Sequence, residues 1–131
     1  MIKNISNLGD AAVYCDFGVE VNKSVNSEVI KYFKALKKEN VESINNLTPS
    51  YNKLIVSYDL RKTNFKEVKK LIENLNVNET QDNNSTKIEI PVCCDDQFSL
   101  DIKRLEEKLK IKREKILQNF FSKEYFCYMT G

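Results

Sequence analysis

Histidine is absent from this chain of 131 residues, and glycine is scarce, with only Gly9, Gly18 and Gly131. Histidine is the usual general base and a common zinc ligand. Its absence excludes Ser-His and Cys-His catalytic pairs and most catalytic zinc sites, so we expect no metal site. The three glycines are too widely spaced to form a phosphate-binding loop. Any ATP chemistry would therefore depend on phosphate contacts made by another chain.

Neither positive nor negative charge is in large excess. The chain has 21 lysines and arginines and 19 acidic residues, which give a net charge of +2. This balance gives no electrostatic indication of a nucleic-acid partner, and three arginines can form few phosphate or carboxylate clamps. The N-terminus opens no long apolar run, so we predict neither a signal peptide nor a membrane span. We expect a cytoplasmic protein that binds neither nucleic acid nor membrane.

The four cysteines, Cys15, Cys93, Cys94 and Cys127, contain no C-x-x-C pair. Neighbouring residues of a strand point to opposite faces, so Cys93 and Cys94 could not act together there. We interpret the cysteines as buried small hydrophobic residues in a reducing compartment. The alternative is a functional thiol at Cys93, but no basic neighbour in the sequence lowers its pKa.

Hydrophobic periodicity predicts strands and helices in alternation over the first two thirds of the chain. The predicted strands span 11–17, 41–47, 54–59 and 88–92, and the predicted helices span 24–40 and 65–75. Ser24 is the predicted N-cap of the first helix, and Asn64 with Glu67 has the form of a capping box at the second. The order β-α-β-β-α-β predicts an α+β, ferredoxin-like domain over residues 1–92, with two helices on one face of a four-stranded antiparallel sheet.

The remaining residues do not fit that four-stranded unit. The stretch 78–86 has no apolar residue and is interpreted as a solvated connection. A helix capped by Ser99, a second helix over 112–121 and a strand over 125–129 follow the fourth predicted strand. That last strand must pair with something to satisfy its backbone groups. We interpret residues 93–131 as the incomplete beginning of a second domain.

Four stretches resemble one known family in order and spacing. They are Gly9–Ala12 leading into Phe17–Gly18, Thr48–Asp59, Glu89–Cys93 with Phe98 and Asp101, and Glu124–Tyr125 with Tyr128 and Gly131. The family comprises the bacterial proteins called allophanate hydrolase subunit 1, 5-oxoprolinase subunit PxpB or kinase inhibitor KipI, which carry the carboxyltransferase domain, subdomains C and D. The resemblance implies a ferredoxin-like domain followed by a cyclophilin-like β-barrel.

The chain departs from the family pattern at three places. Asp95–Asp96 stands where members usually have a glycine pair, and Phe120 or a neighbour replaces a common histidine. The sequence stops at Gly131, where the family's Gly-Phe-x-Pro-Gly-Phe signature should begin. The resemblance therefore implies the truncated start of the barrel, in a truncated gene product, a fragment or a reduced homologue.

The resemblance implies one component of an ATP-dependent amide-cleaving complex, which is not active alone. The expected reaction is that of 5-oxoprolinase, in which 5-oxoproline, ATP and water give glutamate, ADP and phosphate, or that of allophanate hydrolase. The expected partners are the carboxyltransferase-like C subunit and the A subunit of 5-oxoprolinase, with no cofactor held by this chain alone and ATP used by the assembly. Glu124, Tyr125 and Tyr128 lie beside the family signature and are the candidates for substrate or interface contacts, since a carboxylate and a phenol can bind an amide or activate water.

Two other functions stay open at this stage. The chain could inhibit a sensor histidine kinase, as the KipI branch does, or it could be a non-catalytic remnant whose first 92 residues fold alone. Catalytic residues cannot be assigned. Gly9–Asp10 is interpreted as a turn, and Asp59 as a residue that caps its loop toward Arg61 and Asn64.

Overall fold

The computed structural model describes residues 1–77 and 86–129. These residues form two compact units, which we call the sheet unit (1–77 with 127–129) and the helical unit (86–126). The predicted connection over 78–86 lies, apart from Thr86, outside the described residues, as does Gly131. None of the helices in the described ranges is both long enough and apolar enough to cross a membrane.

The sheet unit is a four-stranded antiparallel sheet with two helices. Its elements are β1 (Asn4–Asn7), β2 (Ala12–Asp16), α1 (Lys23–Glu39), β3 (Ile44–Pro49), β4 (Lys53–Tyr58) and α2 (Phe65–Glu73). The strand order is β1-β2-β4-β3, with β2 and β4 in the middle. The predicted mixture of helices with a four-stranded antiparallel sheet is confirmed.

The core lies between one face of the sheet and the two helices. Alternation along β2 and β4 directs every second side chain inward, and the register pairs Val13 with Val56 and Cys15 with Leu54. The apolar stripes of both helices cover this face. The buried cluster consists of Val13, Cys15, Phe17, Val29, Leu36, Leu54, Val56, Tyr58, Val68 and Ile72.

Asparagine side chains cap the N-termini of both helices of the sheet unit. The N-cap of α1 is Asn22 rather than the predicted Ser24. Asn22 is extended, and its Oδ1 accepts a hydrogen bond of 2.9 Å from the N–H of Val25. The predicted cap of α2 is confirmed, because Asn64 Oδ1 accepts from the N–H groups of Lys66 and Glu67. These caps satisfy donors in the first turn that have no partner within the helix.

The predicted strand over 88–92 is wrong. These residues have no strand structure, and Ile88, Ile90 and Val92 are exposed. The sheet edge beside β2 is instead occupied by β1, which pairs Ile5 with Cys15. Pro91 also has no N–H with which to donate to a ladder. The sheet therefore has four strands as expected, but its fourth strand comes from the N-terminus.

The helical unit contains α3 (Ile102–Leu109) and α4 (Arg113–Phe121), and none of its described residues is buried. Arg113 links the elements of this unit. Its N–H donates to Glu106 Oε1 at 2.8 Å, and its guanidinium bonds the Asp96 carboxylate and the Cys94 carbonyl. Ser99 does not cap α3 as predicted, because the N-cap position is Asp101. The Ser99 hydroxyl instead donates to the Cys94 carbonyl at 3.0 Å. The predicted second helix of this region is confirmed as α4.

Two further expectations are corrected. No strand forms over 125–129, because no backbone ladder pairs with these residues in the described part of the chain. All four cysteines are free, but only Cys15 is buried. Cys93 and Cys127 are exposed because they lie outside the sheet, whose inward face provides the burial at Cys15. The interpretation of all four as core residues therefore holds for Cys15 alone.

Candidate functional site on the sheet unit

Three segments of the sheet unit meet at one end of the sheet. They are the loop 18–21 after β2, the turn Ser50–Asn52 between β3 and β4, and residues 127–129, and we call them together the loop face. The antiparallel register pairs Asp16, the last residue of β2, with Lys53, the first of β4. The loop after β2 and the turn before β4 are therefore neighbours.

An ion pair and a glycine fix the start of the loop 18–21. Lys53 Nζ bonds the Asp16 carboxylate and donates to the Gly18 carbonyl at 2.6 Å. The Gly18 N–H donates back to Asp16 Oδ1 at 2.7 Å, and Gly18 has a φ of +117°, which a residue with a Cβ would rarely adopt. The hydrogen bond from Lys53 and then that from Gly18 hold the pKa of Asp16 below its usual range.

The Asn52 side chain holds the rest of the loop 18–21. Its Nδ2 donates to the carbonyls of Gly18 at 2.9 Å and Glu20 at 3.1 Å. The loop so fixed presents Val19, which is 93% exposed, and Val21, which is also exposed. Two apolar side chains are thus held in solvent on a backbone that is already fixed, and such preorganisation lowers the cost of binding.

Asn26 holds the other two segments of the loop face. It is the buried polar residue of α1, with 3% of its surface exposed. Its Nδ2 lies within hydrogen-bond distance of three backbone carbonyl oxygens, those of Ser50 at 3.0 Å, Tyr51 at 3.2 Å and Tyr128 at 3.2 Å. A single carboxamide thus joins the turn between β3 and β4 to the segment 127–129.

Side chains extend this connection. The rings of Tyr51 and Tyr128 lie 5.8 Å apart between centroids, and the Ser50 hydroxyl donates to Met129 Sδ at 3.4 Å. Beside them is a shallow groove of about 400 Å³, mainly apolar, whose walls include Pro49 of β3 and Met129. The arrangement can accept an apolar side chain, and it places two phenols next to one another.

The three residues predicted for the site fall in different units. Tyr128 belongs to the sheet unit, where it is half-buried in the loop face. Glu124 and Tyr125 belong to the helical unit and are exposed. Glu124 Oε1 accepts a bond of 2.7 Å from Lys87 Nζ, and the Tyr125 hydroxyl donates to the Phe120 carbonyl at 3.0 Å. Their role as substrate or interface residues stays a prediction.

Of two structural interpretations from the sequence, the turn at Gly9 is confirmed, and the contact of Asp59 with its loop is confirmed toward Arg61 alone. Gly9 has a φ of +62°, as expected of a glycine in a turn. The Asp59 carboxylate accepts bonds from the backbone and the guanidinium of Arg61, and those bonds lower the pKa of Asp59 to about 2. In the described ranges, no three cysteine, aspartate or glutamate side chains lie close enough together to share a metal ion.

The sequence analysis missed Asn26, although a signal was present. Asn26 precedes Val29 by three positions and Leu36 by ten, so it falls on the inward stripe of α1. A polar residue at such a position needs a buried hydrogen-bond partner. The backbone carbonyls that supply those bonds could not be read from the sequence, because they depend on the turn and on the path of residues 127–129.

Known proteins that resemble this chain differ in how much of their own length the chain covers. The B subunit of the 5-oxoprolinase of Bacillus subtilis (strain 168) is 26% identical over 139 residues, which cover 97% of this chain and 58% of that protein. The chain thus spans little more than half the length of this curated relative.

Solved structures give a similar result. The conserved uncharacterized protein PH0987 from Pyrococcus horikoshii is 29% identical with a TM-score of 0.54, over 88% of this chain and 53% of its own. A crystal structure of TTHA0988 is 21% identical with a TM-score of 0.67, over 82% of this chain and 21% of its own, and shows the shared fold alone. The sequence profile of the family described as "Carboxyltransferase domain, subdomain C and D" matches residues 3–131. The chain belongs to this family.

Proposed function

We propose that this chain is one component of an ATP-dependent complex that opens 5-oxoproline to glutamate. The observation that carries the proposal is the similarity to the 5-oxoprolinase B subunit along 97% of the chain. The complex would transfer a phosphoryl group from ATP to the lactam carbonyl oxygen, and water would then attack the activated carbon, giving glutamate, ADP and phosphate. The partners are the carboxyltransferase-like C subunit and the A subunit, and this chain helps to shape their shared cleft.

The proposal includes a finer account of the fold. In the ferredoxin-like arrangement the fourth strand lies beside the first, and β1 holds that position next to β2. We assign β2, α1, β3, β4 and α2 to the first five elements of that arrangement. Residues 93–131 would open a cyclophilin-like domain. The assembly would work in the cytoplasm, where ATP is available and thiols stay reduced.

The loop face is the surface by which this chain would contact a partner protein of the complex. Val19 and Tyr51 are exposed, while the backbone beneath them is held by the side chains of Asn52 and Asn26. Preorganisation lowers the conformational cost of binding, and tyrosine is enriched in protein interfaces. Glu124 and Tyr125 of the helical unit are the further candidates for substrate or partner contacts.

The test begins with the natural gene product, tagged on Met1 at its own locus, and isolated with whatever it binds. We expect the C and A subunits to co-purify, and the isolated complex to release ADP faster with 5-oxoproline than with allophanate. Faster release with allophanate would assign the allophanate hydrolase reaction instead. Normal 5-oxoproline cleavage after deletion of this gene would refute the proposal. Slower autophosphorylation of a sensor histidine kinase on addition of the protein would favour the kinase-inhibitor function.

A matched pair of variants tests the loop face. Val19→Asp places a charge at a position that is 93% exposed, so the fold should tolerate it. Leu60→Asp makes a similar change at a position that is 58% exposed and lies just after β4, at the opposite end of the sheet. We expect Val19→Asp to reduce recovery of the partner proteins about tenfold and Leu60→Asp to leave it unchanged, as a charge buried in an interface without a counterion is costly. Equal recovery with both variants would remove the loop face from the interface.

A further inference from the structure

We propose that Asn26 is a positioning residue whose carboxamide holds residues 127–129, and with them the Tyr128 ring, on the sheet unit. This inference does not rest on the amide-cleaving function. It concerns the docking of one segment of the chain, and it is tested by measurements that need no substrate and no partner.

The helix fixes the backbone of Asn26. Asn26 lies in the first turn of α1, where its N–H donates to the carbonyl of the capping residue Asn22 at 3.0 Å. Burial at 3% exposure then leaves the side chain little freedom. The Nδ2 atom is therefore confined to the point where the carbonyls of Ser50, Tyr51 and Tyr128 converge.

The three acceptors differ in the backbone structure that carries them. Ser50 and Tyr51 belong to the turn that joins β3 to β4, and the Ser50 N–H already donates to the Lys53 carbonyl at 2.8 Å across that turn. Residues 127–129 belong to no strand. Two side-chain contacts, between the Tyr51 and Tyr128 rings and between Ser50 and Met129, support them at the same turn. Loss of the carboxamide should therefore affect the docking of 127–129 more than the turn.

The carboxamide of Asn26 suits this position because it can donate hydrogen bonds. A group facing three carbonyl oxygens must be a donor, and the –NH₂ of asparagine supplies two hydrogens. An aspartate of the same shape would place a carboxylate against the three oxygens at neutral pH. Once protonated, it could again donate one hydrogen bond. A leucine would fill the space with no donor at all.

Methionine provides the reporter for the test, because the chain has only two, Met1 and Met129. In protein labelled with ¹³C at the methionine methyl groups, exposed Met1 marks the position of a freely rotating side chain. We expect Asn26→Leu to shift the Met129 methyl resonance toward that of Met1 and to abolish the cross-peaks between the Tyr51 and Tyr128 rings. Since one net hydrogen bond is worth about 1 kcal/mol, the docking equilibrium should fall at least about fivefold.

Two more variants separate positioning from simple burial. Asn26→Asp should release Met129 at pH 7 and regain part of the docking near pH 4, with the unmodified protein at each pH as the reference. Asn46→Ala removes an exposed, hydrogen-bonded carboxamide of β3 that lies outside the loop face, so the Met129 resonance should not move. A folded Asn26→Leu protein with Met129 unmoved, or an Asn26→Asp protein with no pH dependence, would overturn the proposal.

A measurement on the unmodified protein covers the case in which Asn26→Leu fails to fold. The side-chain amide protons of Asn26 should exchange with solvent at least about tenfold more slowly than those of exposed Asn45, because hydrogen-bonded, buried protons exchange only after opening. Equal exchange rates would show that the carboxamide is not engaged, and would overturn the proposal independently of any variant.

Discussion

Helices α1 and α2 of the sheet unit bury Val29, Leu36, Val68 and Ile72, whereas α3 and α4 of the helical unit bury no residue. All four helices carry an apolar stripe. The stripes of α1 and α2 lie on the inward face of a sheet whose alternating side chains present an apolar layer, while the helical unit has no such layer of its own. Amphipathic sequence thus makes a helix, but a second layer is needed to make a core.

Exposed apolar side chains show the same difference. The described residues include fifteen large hydrophobic side chains that are exposed, and nine of them lie in the 41 residues of the helical unit. They include Ile88, Phe98, Leu100 and Phe121. Apolar surface of this extent is unusual on a soluble unit with no partner. Stability and chemical protection should therefore differ sharply between the two units, and the predictions below test this from the largest effect to the smallest.

The largest effect should come from the same substitution made once in each unit. Leu54→Ala removes a fully buried side chain of β4, and Leu109→Ala removes one of α3 that is 53% exposed. We expect Leu54→Ala to lower the free energy of unfolding by about 2–5 kcal/mol, since it leaves a cavity, and Leu109→Ala to lower it by less than about 1 kcal/mol. Urea unfolding followed by circular dichroism measures both. Equal losses would mean that the helical unit has a core of its own.

Thiol reactivity should follow burial rather than position in the sequence. Burial raises the pKa of Cys15 to about 12, whereas Cys93 and Cys127 are exposed. At pH 8 a thiol with a pKa near 12 is thiolate in only about one molecule in ten thousand, and its burial also shields it from the reagent. We expect iodoacetamide to alkylate Cys93 and Cys127 at least about a thousandfold faster than Cys15, as measured by peptide mass spectrometry.

The control for that experiment is the same labelling in concentrated urea, where all four cysteines should react at similar rates. Cys127 sharpens the comparison because it belongs to the sheet unit yet is exposed. If Cys127 were as slow as Cys15, protection would follow the unit and not the burial of the individual thiol.

Apolar periodicity in the sequence predicted the helices and strands that pack against an apolar layer. It failed where the structure depends on which strands pair with one another. Both helices of the sheet unit and the strands β2 and β4 follow from apolar spacing. The strand β1 was missed because Asn4–Asn7 offers Ile5 as its only apolar residue, so there is no alternation to detect. The segment 88–92 alternates well, yet a strand forms only where a partner edge is available, and no local pattern records that β1 already holds the edge of β2.

The candidate site was predictable to a smaller extent. Tyr128 was identified from the family resemblance, and it does lie in the loop face. Asn26 and Asn52 were missed because both act through backbone carbonyls, which every residue carries and which leave no mark in a sequence. Their partners are brought together by the strand register and by the turn between β3 and β4. The sequence thus named one residue of this candidate surface, whose role stays a prediction, whereas the contacts that form the surface depend on the fold.

The smallest effect should come from comparing one ion pair in each unit. Asp16 and Lys53 of the sheet unit are partly buried, while Glu124 and Lys87 of the helical unit are exposed. We expect Asp16→Asn to lower the free energy of unfolding at pH 7 by about 1 kcal/mol or less, and Glu124→Gln to cause no measurable change, since exposed pairs are screened by solvent. Thermal unfolding of both variants beside the unmodified protein measures the difference.

The pH dependence identifies the cause of the Asp16 effect. Hydrogen bonds from Lys53 and Gly18 lower the pKa of Asp16 in the folded state, whereas the unfolded chain keeps a value near 3.9. The carboxylate therefore contributes its full stability above that value, and the contribution is lost as the pH falls through the lower folded pKa. The gap between the unmodified protein and Asp16→Asn should be constant from pH 7 to about 5 and should close below about 4. A gap that persists at low pH, where the carboxyl group is neutral, would show that the charge of Asp16 is not the cause of the effect.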